Sequence, residues 1–397
     1  MIKNYDVAVV GSGIIGLLAA FLAAKANFSV ILIGPRINSV AKKNFPSRFY
    51  ALSPTSLNFI NSFSENQFSQ SNEQRIISME ISNENGKIIL NPEQTCNEFL
   101  ASIVSHESLV EHISSQKSFE NIYQIDASPN SISYIDSDKG CMEPVIKLTT
   151  GRNSHEFRTR LTIGADGAFS WVRQASGISW SRKNYNHKAI ICEVDSEEKH
   201  NSTACQWFED SSIFALLPTV DGNFSMVWSM SNNKAQKFES FSQNEFSQYL
   251  NKVSKGRFGK LTLASQPAFI DLSMIKVEKF FENRVALVGD AAHTVHPLAG
   301  LGLNLGIYDL MSLVSIGKWH KTINPQILDP GSRKILSAYN SSRVLNTAIV
   351  QNSLDCLFEL FNISNDLVKV TRSLGMNLLN KNSFFKKKIV SIATSKF

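Results

Sequence analysis

No apolar run in this 397-residue chain is long enough to cross a bilayer. The longest, such as IIGLLAAFLAA from Ile14, stop short of the roughly 18–20 residues that a span requires. Cysteine is scarce and scattered: Cys96, Cys141, Cys192, Cys205 and Cys356 make no C-x-x-C or other zinc spacing. That argues against a metal centre or a disulfide scaffold and for a reduced, cytosolic setting. No cleavable leader is visible, since MIKNYDVAVVGSG passes straight into a strand. No internal repeat or long low-complexity linker occurs, and Ser62 to Asn72 reads as a surface loop. Charge of one sign is also lacking, with 40 basic residues against 34 acidic ones. The single basic concentration, KNSFFKKK from Lys381 to Lys388, suits a solvated helix end; contact with an anionic membrane surface or a partner protein is the sharper alternative. No basic stripe with interleaved aromatics accompanies it, so no nucleic-acid partner is expected.

What is present begins at residue 5. YDVAVVGSGIIGLLAAFLAAKANFSVILIG reads as strand, tight turn, helix and strand, with Val7 to Val10 an apolar run suited to a buried parallel strand. Gly11, Gly13 and Gly16 complete G-x-G-x-x-G immediately after that strand. Gly11 permits the turn, Gly13 lets backbone approach a pyrophosphate, and Gly16 lets helix pack on strand. The helix N-terminus adds free N–H groups and a positive dipole end. The acid that should end the second strand and hold the adenosine ribose is missing: Gly34, Pro35 and Arg36 stand there. Its loss weakens adenosine binding unless Arg36 or backbone groups compensate. The pattern specifies a dinucleotide without saying which.

Two more turns follow. In IKLTTGRNSHEFRTRLTIGADGAFSWVRQ, alternating runs flank Gly151-Arg152-Asn153 as in a hairpin, and the second run enters Gly164-Ala165-Asp166-Gly167 before a helix with Ser170 and Arg173. Taken alone, this turn also fits a simple strand-to-helix junction with an Asp cap. The third is VALVGDAAHTVHPLAGLGLNLGIYD, in which a buried strand, Val285 to Val288, reaches Gly289-Asp290. Ligands of open α/β sheets lie outside such strand ends. Asp290 can accept hydrogen bonds from the polyol of a flavin. The small-sided loop Pro297 to Gly302 then leads into a helix at Gly302-Leu303-Asn304, whose free N–H groups suit the electron-rich edge of a reduced flavin. His293 and His296 flank the turn and are read as tying it by hydrogen bonds; no general base is assigned.

Together these motifs resemble the single-component flavoprotein monooxygenases typified by p-hydroxybenzoate hydroxylase, and within them the aromatic-ring hydroxylases of ubiquinone biosynthesis. HPLAGLGLNLGIYD is similar to that family's H-P-[aliphatic]-[Ala/Gly]-G-Q-G-x-N-x-G-x-x-D signature. RFYALS from Arg48, ACQWFEDSSIFALLP from Ala204, FSMVWS from Phe224 and Leu374-Gly375 also have counterparts, so the resemblance runs from about residue 5 to 380. It implies that Gly11, Gly13 and Gly16 hold the FAD pyrophosphate and that Arg48 lies close to the flavin. It further implies that Asp166 serves both FAD and a passing NADPH or NADH, and that Asp290 takes ribityl or ribose hydroxyls. Gly300, Gly302, Leu303 and Asn304 would meet the isoalloxazine edge, with Pro297 and Leu301 bordering the flavin and substrate cavity. Three positions depart from the family: Leu301 replaces Gln, Gly34 replaces the ribose acid, and Ser105-His106 replaces Glu-Asn.

The implied fold class is α/β: a Rossmann-like FAD-binding domain from residues of roughly 1–62, 95–182 and 275–330, and an antiparallel-sheet substrate domain from 63–94 and 183–274. Residues 331–397 form C-terminal helices, RVLNTAIVQNSLDCLFELF placing apolar positions at helical spacing. The implied activity is NAD(P)H- and O2-dependent hydroxylation of the ring of a polyprenylated phenol, by way of a flavin C4a-hydroperoxide. Such a lipid points to a cytoplasmic protein working at the inner membrane surface or in an assembly that presents the substrate. The 26 phenylalanines are material for an apolar groove. Two alternatives stand beside this: a hydroxylase of another small aromatic on the same scaffold, and a divergent, non-catalytic flavoprotein subunit.

Overall fold

The computed structural model describes residues 2–36, 46–94, 97–136, 142–150, 153–209, 211–297, 300–319, 328–363, 366–382 and 386–387. Cys96, Cys141, the turn residues Gly151 and Arg152, the loop residues Leu298 and Ala299, and part of KNSFFKKK lie outside them.

The first sheet has a parallel centre. Strands β1 (Lys3–Val10), β2 (Val30–Ile33), β8 (Tyr123–Ile125), β11 (Asn153–Gly164), β18 (Phe281–Glu282) and β19 (Val285–Leu287) lie in the order β18-β19-β11-β1-β2-β8. Strands β9 (Pro129–Asp136) and β10 (Met142–Thr150) extend it through β11. Strand β11 runs parallel to β1 from Phe157 to Gly164 on one edge, and on the other lies antiparallel to β10 through Arg158 and parallel to β19 from Thr162 to Gly164. The parallel registers pair Val10 with both Gly164 and Ile33, and Gly164 with Leu287, so β2, β1, β11 and β19 end side by side.

Helix α1 (Ile14–Lys25) joins β1 to β2 and is buried from Leu17 to Ala23 without a polar face. It packs on both strands, on α3 (His106–Ser114) and on α7 (Gly302–Ile316). A helix covered on every side has no use for amphipathicity, which is why its sequence looks like a truncated membrane span. Gly16 makes the contact close: a Cβ there would lie 1.9 Å from the Gly11 carbonyl oxygen.

The second sheet comprises β5 (Ser78–Ser82), β6 (Lys87–Leu90), β12 (Trp180–Ser196), β13 (Thr203–Glu209), β14 (Ser212–Pro218), β15 (Phe224–Ser231), β16 (Leu261–Leu263) and β17 (Ala268–Val277). Its pairs are antiparallel except β5 with β13, which run parallel from Ser78 opposite Thr203. Helices α5 (Asn232–Glu239) and α6 (Gln243–Ser254) cover one face, where Phe214, Phe224, Phe246, Phe258 and Trp228 form a closed core. The other face turns toward the first sheet. A small third sheet of β3 (Phe49–Leu52), β4 (Glu73–Ile76) and β7 (Ala101–Ser105) sits between them, followed by α2 (Pro54–Phe63), which ends within the stretch expected to be loop. Helix α4 (Trp171–Ala175) follows β11, and α8 (Arg333–Asn362) and α9 (Asp366–Lys381) brace the assembly. Helix α8 packs on α7, and its Tyr339 hydroxyl donates to the Leu287 carbonyl at the end of β19, 2.8 Å away.

Because the atom facing Gly16 belongs to backbone, it has little room to yield. Gly16→Ala is expected to cost about 2–4 kcal/mol of stability, read as a lower urea midpoint. An unchanged midpoint would show that the α1–β1 approach tolerates a side chain.

Candidate active site

Three turns leave neighbouring strand ends and are hydrogen-bonded to one another. The Gly11 N–H donates to the Ile33 carbonyl (2.8 Å), Ala165 N–H to the Val10 carbonyl (2.8 Å) and Val288 N–H to the Gly164 carbonyl (3.0 Å). Gly11 has φ +109°, and a Cβ on it would meet the Ala165 carbonyl oxygen at 2.3 Å, so the first turn admits only glycine beside the second. These turns open on one cleft of about 1640 Å³, larger than the roughly 300–1,000 Å³ of common ligand pockets.

Gly11, Gly13, Arg48, Asp166, Asp290, Pro297, Gly300, Leu301, Gly302, Leu303 and Asn304 all line that cleft. Gly16 does not; it serves the helix packing described above. Asp166 faces the cleft, but its carboxylate is engaged as a cap: Ser170 Oγ and the Val172 N–H both donate to it at the start of α4. Arg173, also in α4, is fully buried and donates to the carbonyls of Ala291 (2.8 Å) and Ala168 (2.9 Å), locking the second turn to the third.

Asp290 opens into the cleft with protein on its other sides. Burial holds its carboxyl above the usual carboxylate range, with Asp309 adding to the effect and His293 and Arg48 opposing it. Beneath it lies a fully buried ionic group. Asp309 of α7 accepts from the Gly289 N–H (2.8 Å) and from Arg343 Nε of α8 (2.7 Å), and its Oδ2 lies 2.7 Å from His293 Nε2. Burial alone would raise the Asp309 pKa; His293 and Arg343 outweigh it and hold the carboxyl below its usual value. His293 is thus spent on structure. His296 turns away from the cleft between Val295 and Pro297, which line it, and packs against Tyr185 and Phe358. Its Nε2 meets Ser229 Oγ at 3.1 Å, and burial, aided by His187, pushes its pKa down to about 3.

The α7 entry is built similarly. The Asn304 side chain accepts from the Ser53 N–H (2.8 Å) and donates to the Ala51 carbonyl (2.7 Å), tying α7 to the β3–α2 junction. Its amide is therefore occupied, while the N-cap Leu301 supplies no side-chain bond to the first turn. The backbone N–H groups of Gly302, Leu303 and Asn304 precede the first intrahelical donor, Leu305, and remain for a ligand. A Cβ added at Gly13 or at Gly302 would meet nothing within 4 Å, so both glycines leave open cleft where a side chain would stand. At the α3 entry, Tyr50 Oη lies 3.3 Å from His106 Nδ1, and both residues line the cleft.

Beyond the turns the cleft becomes an apolar arm between the second and third sheets, lined by Ile76, Met79, Leu90, Leu100, Ile103 and Leu217. Aliphatic side chains dominate it; the large phenylalanines went to the closed core on the other face. Sequence reasoning missed Arg343 and the service roles of Arg173 and Asp309. The signal for Asp309 was an acid inside the apolar helical run GIYDLMSLV, where a buried charge must find partners. The cysteines Cys192 and Cys205 are free and buried, and burial pushes both thiols up to about 12, which makes them inert.

The family of the FAD binding domain matches residues 4–345 of the chain. The ubiquinone biosynthesis monooxygenase COQ6, mitochondrial, of Rattus norvegicus is 31% identical over 302 residues, covering 68% of this chain and 62% of that protein. The 3-demethoxyubiquinol 3-hydroxylase of Escherichia coli (strain K12) is 29% identical over 238 residues, covering 59% of each. The chain therefore spans about three-fifths of the length of these curated relatives, whereas the COQ6 of Caenorhabditis elegans, 26% identical, is matched over 92% of its length. Among solved structures, p-nitrophenol 4-monooxygenase PnpA from Pseudomonas putida DLL-E4 superposes with a TM-score of 0.74 over the whole of both chains at 15% identity, a likeness of fold. P. aeruginosa PqsL gives 0.73 at 16% identity, covering 98% of this chain and 99% of that one.

Two expectations about pH follow. The unfolded chain protonates a free histidine near 6.5, while folded His296 resists down to about 3, so its contribution is complete above 6.5 and is lost as pH falls. Asp309, depressed in the fold, keeps its contribution above the unfolded carboxylate value near 3.9 and loses it only below that. Urea midpoints should fall between pH 7 and 5, and His296→Gln should flatten that slope; an equal slope in the variant would acquit His296. Arg343→Leu, which strands the buried Asp309, should destabilise by about 3–5 kcal/mol at neutral pH, measured by chemical denaturation.

Proposed function

Because this chain belongs to the family of the FAD binding domain, we propose that it is an FAD-dependent monooxygenase that hydroxylates the ring of a polyprenylated phenol in ubiquinone biosynthesis, using NAD(P)H and O2. The observation that carries this is the continuity of one cleft from the three glycine turns into an aliphatic arm. The residues present fit the cofactor. Gly13 leaves room for a pyrophosphate before the α1 N-terminus, and Gly302 leaves room for a ring edge before α7.

Bound FAD supplies the redox chemistry, accepting hydride from NAD(P)H and activating O2. The protein's share is positioning and electrostatics. Gly11, Gly13 and the first turn of α1 hold the diphosphate. The free N–H groups at Gly302, Leu303 and Asn304, fixed by the Asn304 ties to Ala51 and Ser53, face the developing negative charge. Asp290 accepts from the polyol, with Arg48 beside it and Asp166 presenting the second turn. Pro297, Gly300 and Leu301 border the reacting ring, and the apolar side chain of Leu301 helps to keep water out. In this reading residues 1–62, 95–182 and 275–330 form the cofactor domain and 63–94 with 183–274 roof the substrate, while 331–397 brace both.

A polyprenyl tail fits the aliphatic arm by chemistry. Such a substrate resides in a bilayer, so the proposal includes work at a membrane surface. Among the described residues no helix is long and apolar enough to cross a membrane. Leu374 and Leu378 of α9 stand 58% and 68% exposed, which supports contact with lipid.

The purified protein should be yellow or become so on adding FAD, and a prenylated phenol should stimulate NADPH oxidation with one oxygen atom of O2 recovered in the product. Colourless protein that FAD cannot reconstitute would instead favour a non-catalytic subunit. Leu100→Trp, which fills the arm, should raise KM for a long-tailed phenol about tenfold while sparing a tail-less one. Equal effects on both would remove the arm from substrate selection.

A further inference from the structure

The second sheet turns two polar side chains into a stretch of cleft wall that is largely apolar. Gln206 of β13 is 5% exposed and Ser225 of β15 is 3% exposed, and both line the cleft. Around them on the same wall stand Ala204, Ala215, Leu217, Val227 and Ile191. Ser225 lies opposite Leu217 on one side and Glu193 on the other. Glu193 is engaged elsewhere, its Oε1 accepting the Ser47 N–H (3.3 Å). Among the described residues the Ser225 hydroxyl has no hydrogen-bond partner. Buried polar side chains are nearly always paired, so a buried hydroxyl that faces a cleft unpaired points to a ligand group.

Both residues stand where the two parts of the cleft meet. Ala204 and Leu217 belong to the aliphatic cluster of the arm, with Met79 and Leu100. Phe208 and Val227 belong to a different cluster, with Val295 and Leu301 of the third turn. Gln206 lies midway between Ala204 and Phe208 on its strand, opposite Ala215. Ser225 pairs with Leu217 and is two residues from Val227. Same-face neighbours along a strand are about 7 Å apart, the scale of one substituted aromatic ring. A ring held at Leu301 with its tail in the arm therefore passes both polar side chains. The serine hydroxyl can donate to a ring oxygen, and the glutamine amide can donate or accept.

We propose that Ser225 and Gln206 hydrogen-bond two oxygens of the substrate ring, so that the preferred prenylated phenol carries a second ring oxygen, as hydroxyl or methoxyl; this rests on the reading that the cleft takes a prenylated phenol. A ring with a single oxygen leaves one of the two side chains unpaired, which is the source of discrimination. The test titrates the FAD-loaded, full-length protein with a short-chain prenylphenol and with its ring-methoxylated counterpart, following flavin absorbance. The parent should bind the methoxylated ring about tenfold more tightly. S225A and Q206L should each bring the two ligands level, whereas S225T, which keeps the hydroxyl, should retain the preference. In S225A the share of NADPH oxidation that yields hydroxylated product should also fall for the methoxylated ring. A parent that binds both rings equally overturns the proposal, as do alanine and leucine variants that keep the preference or weaken both ligands alike. A holoenzyme that binds neither ring fails the prenylated-phenol reading itself, a result distinct from loss of discrimination.

Discussion

Parallel register is the constraint on which the site depends. Val10, Gly164 and Leu287 end at one level because β1, β11 and β19 are hydrogen-bonded in that alignment. Each following turn then donates a backbone N–H to a carbonyl of its neighbour: Ala165 to Val10, and Val288 to Gly164. A slip of one residue between any two of these strands would invert side-chain faces and separate the turns. Glycine at position 11 is a consequence, since the second turn leaves its Cβ no volume.

Beneath this backbone arrangement lies an electrostatic one. Asp309 gathers a backbone N–H, an imidazole and a guanidinium, so the loop bearing Asp290 is held from three directions by α7, α8 and its own chain. Removing a charge from water costs several kcal/mol, and such a group persists only when fully paired. The saturation of Asp309 leaves Asp290 as the acid facing the cleft from this turn. Burial raises the Asp290 pKa, and hydroxyl donors that bond its charged form would draw it back toward ionisation.

Much of this was legible in the sequence because glycine and strand patterns are local. The three turns, the buried strands before them and the helix at Gly302 each announce themselves within a dozen residues. The pairing between them does not: nothing near Asp309 names Arg343, and nothing near Asp166 says that Ser170 and Val172 occupy its oxygens. The phenylalanine count was misleading for a physical reason, since large rings fill the closed core under α5 and α6 while the open arm is aliphatic. Similarly, the parallel pairing of β5 with β13 is a choice of partner across more than a hundred residues, which alternation cannot encode.

The Tyr339 hydroxyl on the Leu287 carbonyl and the Arg343 guanidinium on Asp309 have a bearing on biogenesis. Gly11 precedes by some 330 residues the helix α8 whose Tyr339 and Arg343 secure the end of β19 and the third turn. Contacts so distant in sequence form slowly, and on a ribosome they cannot form until α8 has emerged. Cofactor capture therefore comes late in the life of the nascent chain, and apolar strands such as β1 and β2 must wait for their partners, a period in which chaperones matter most.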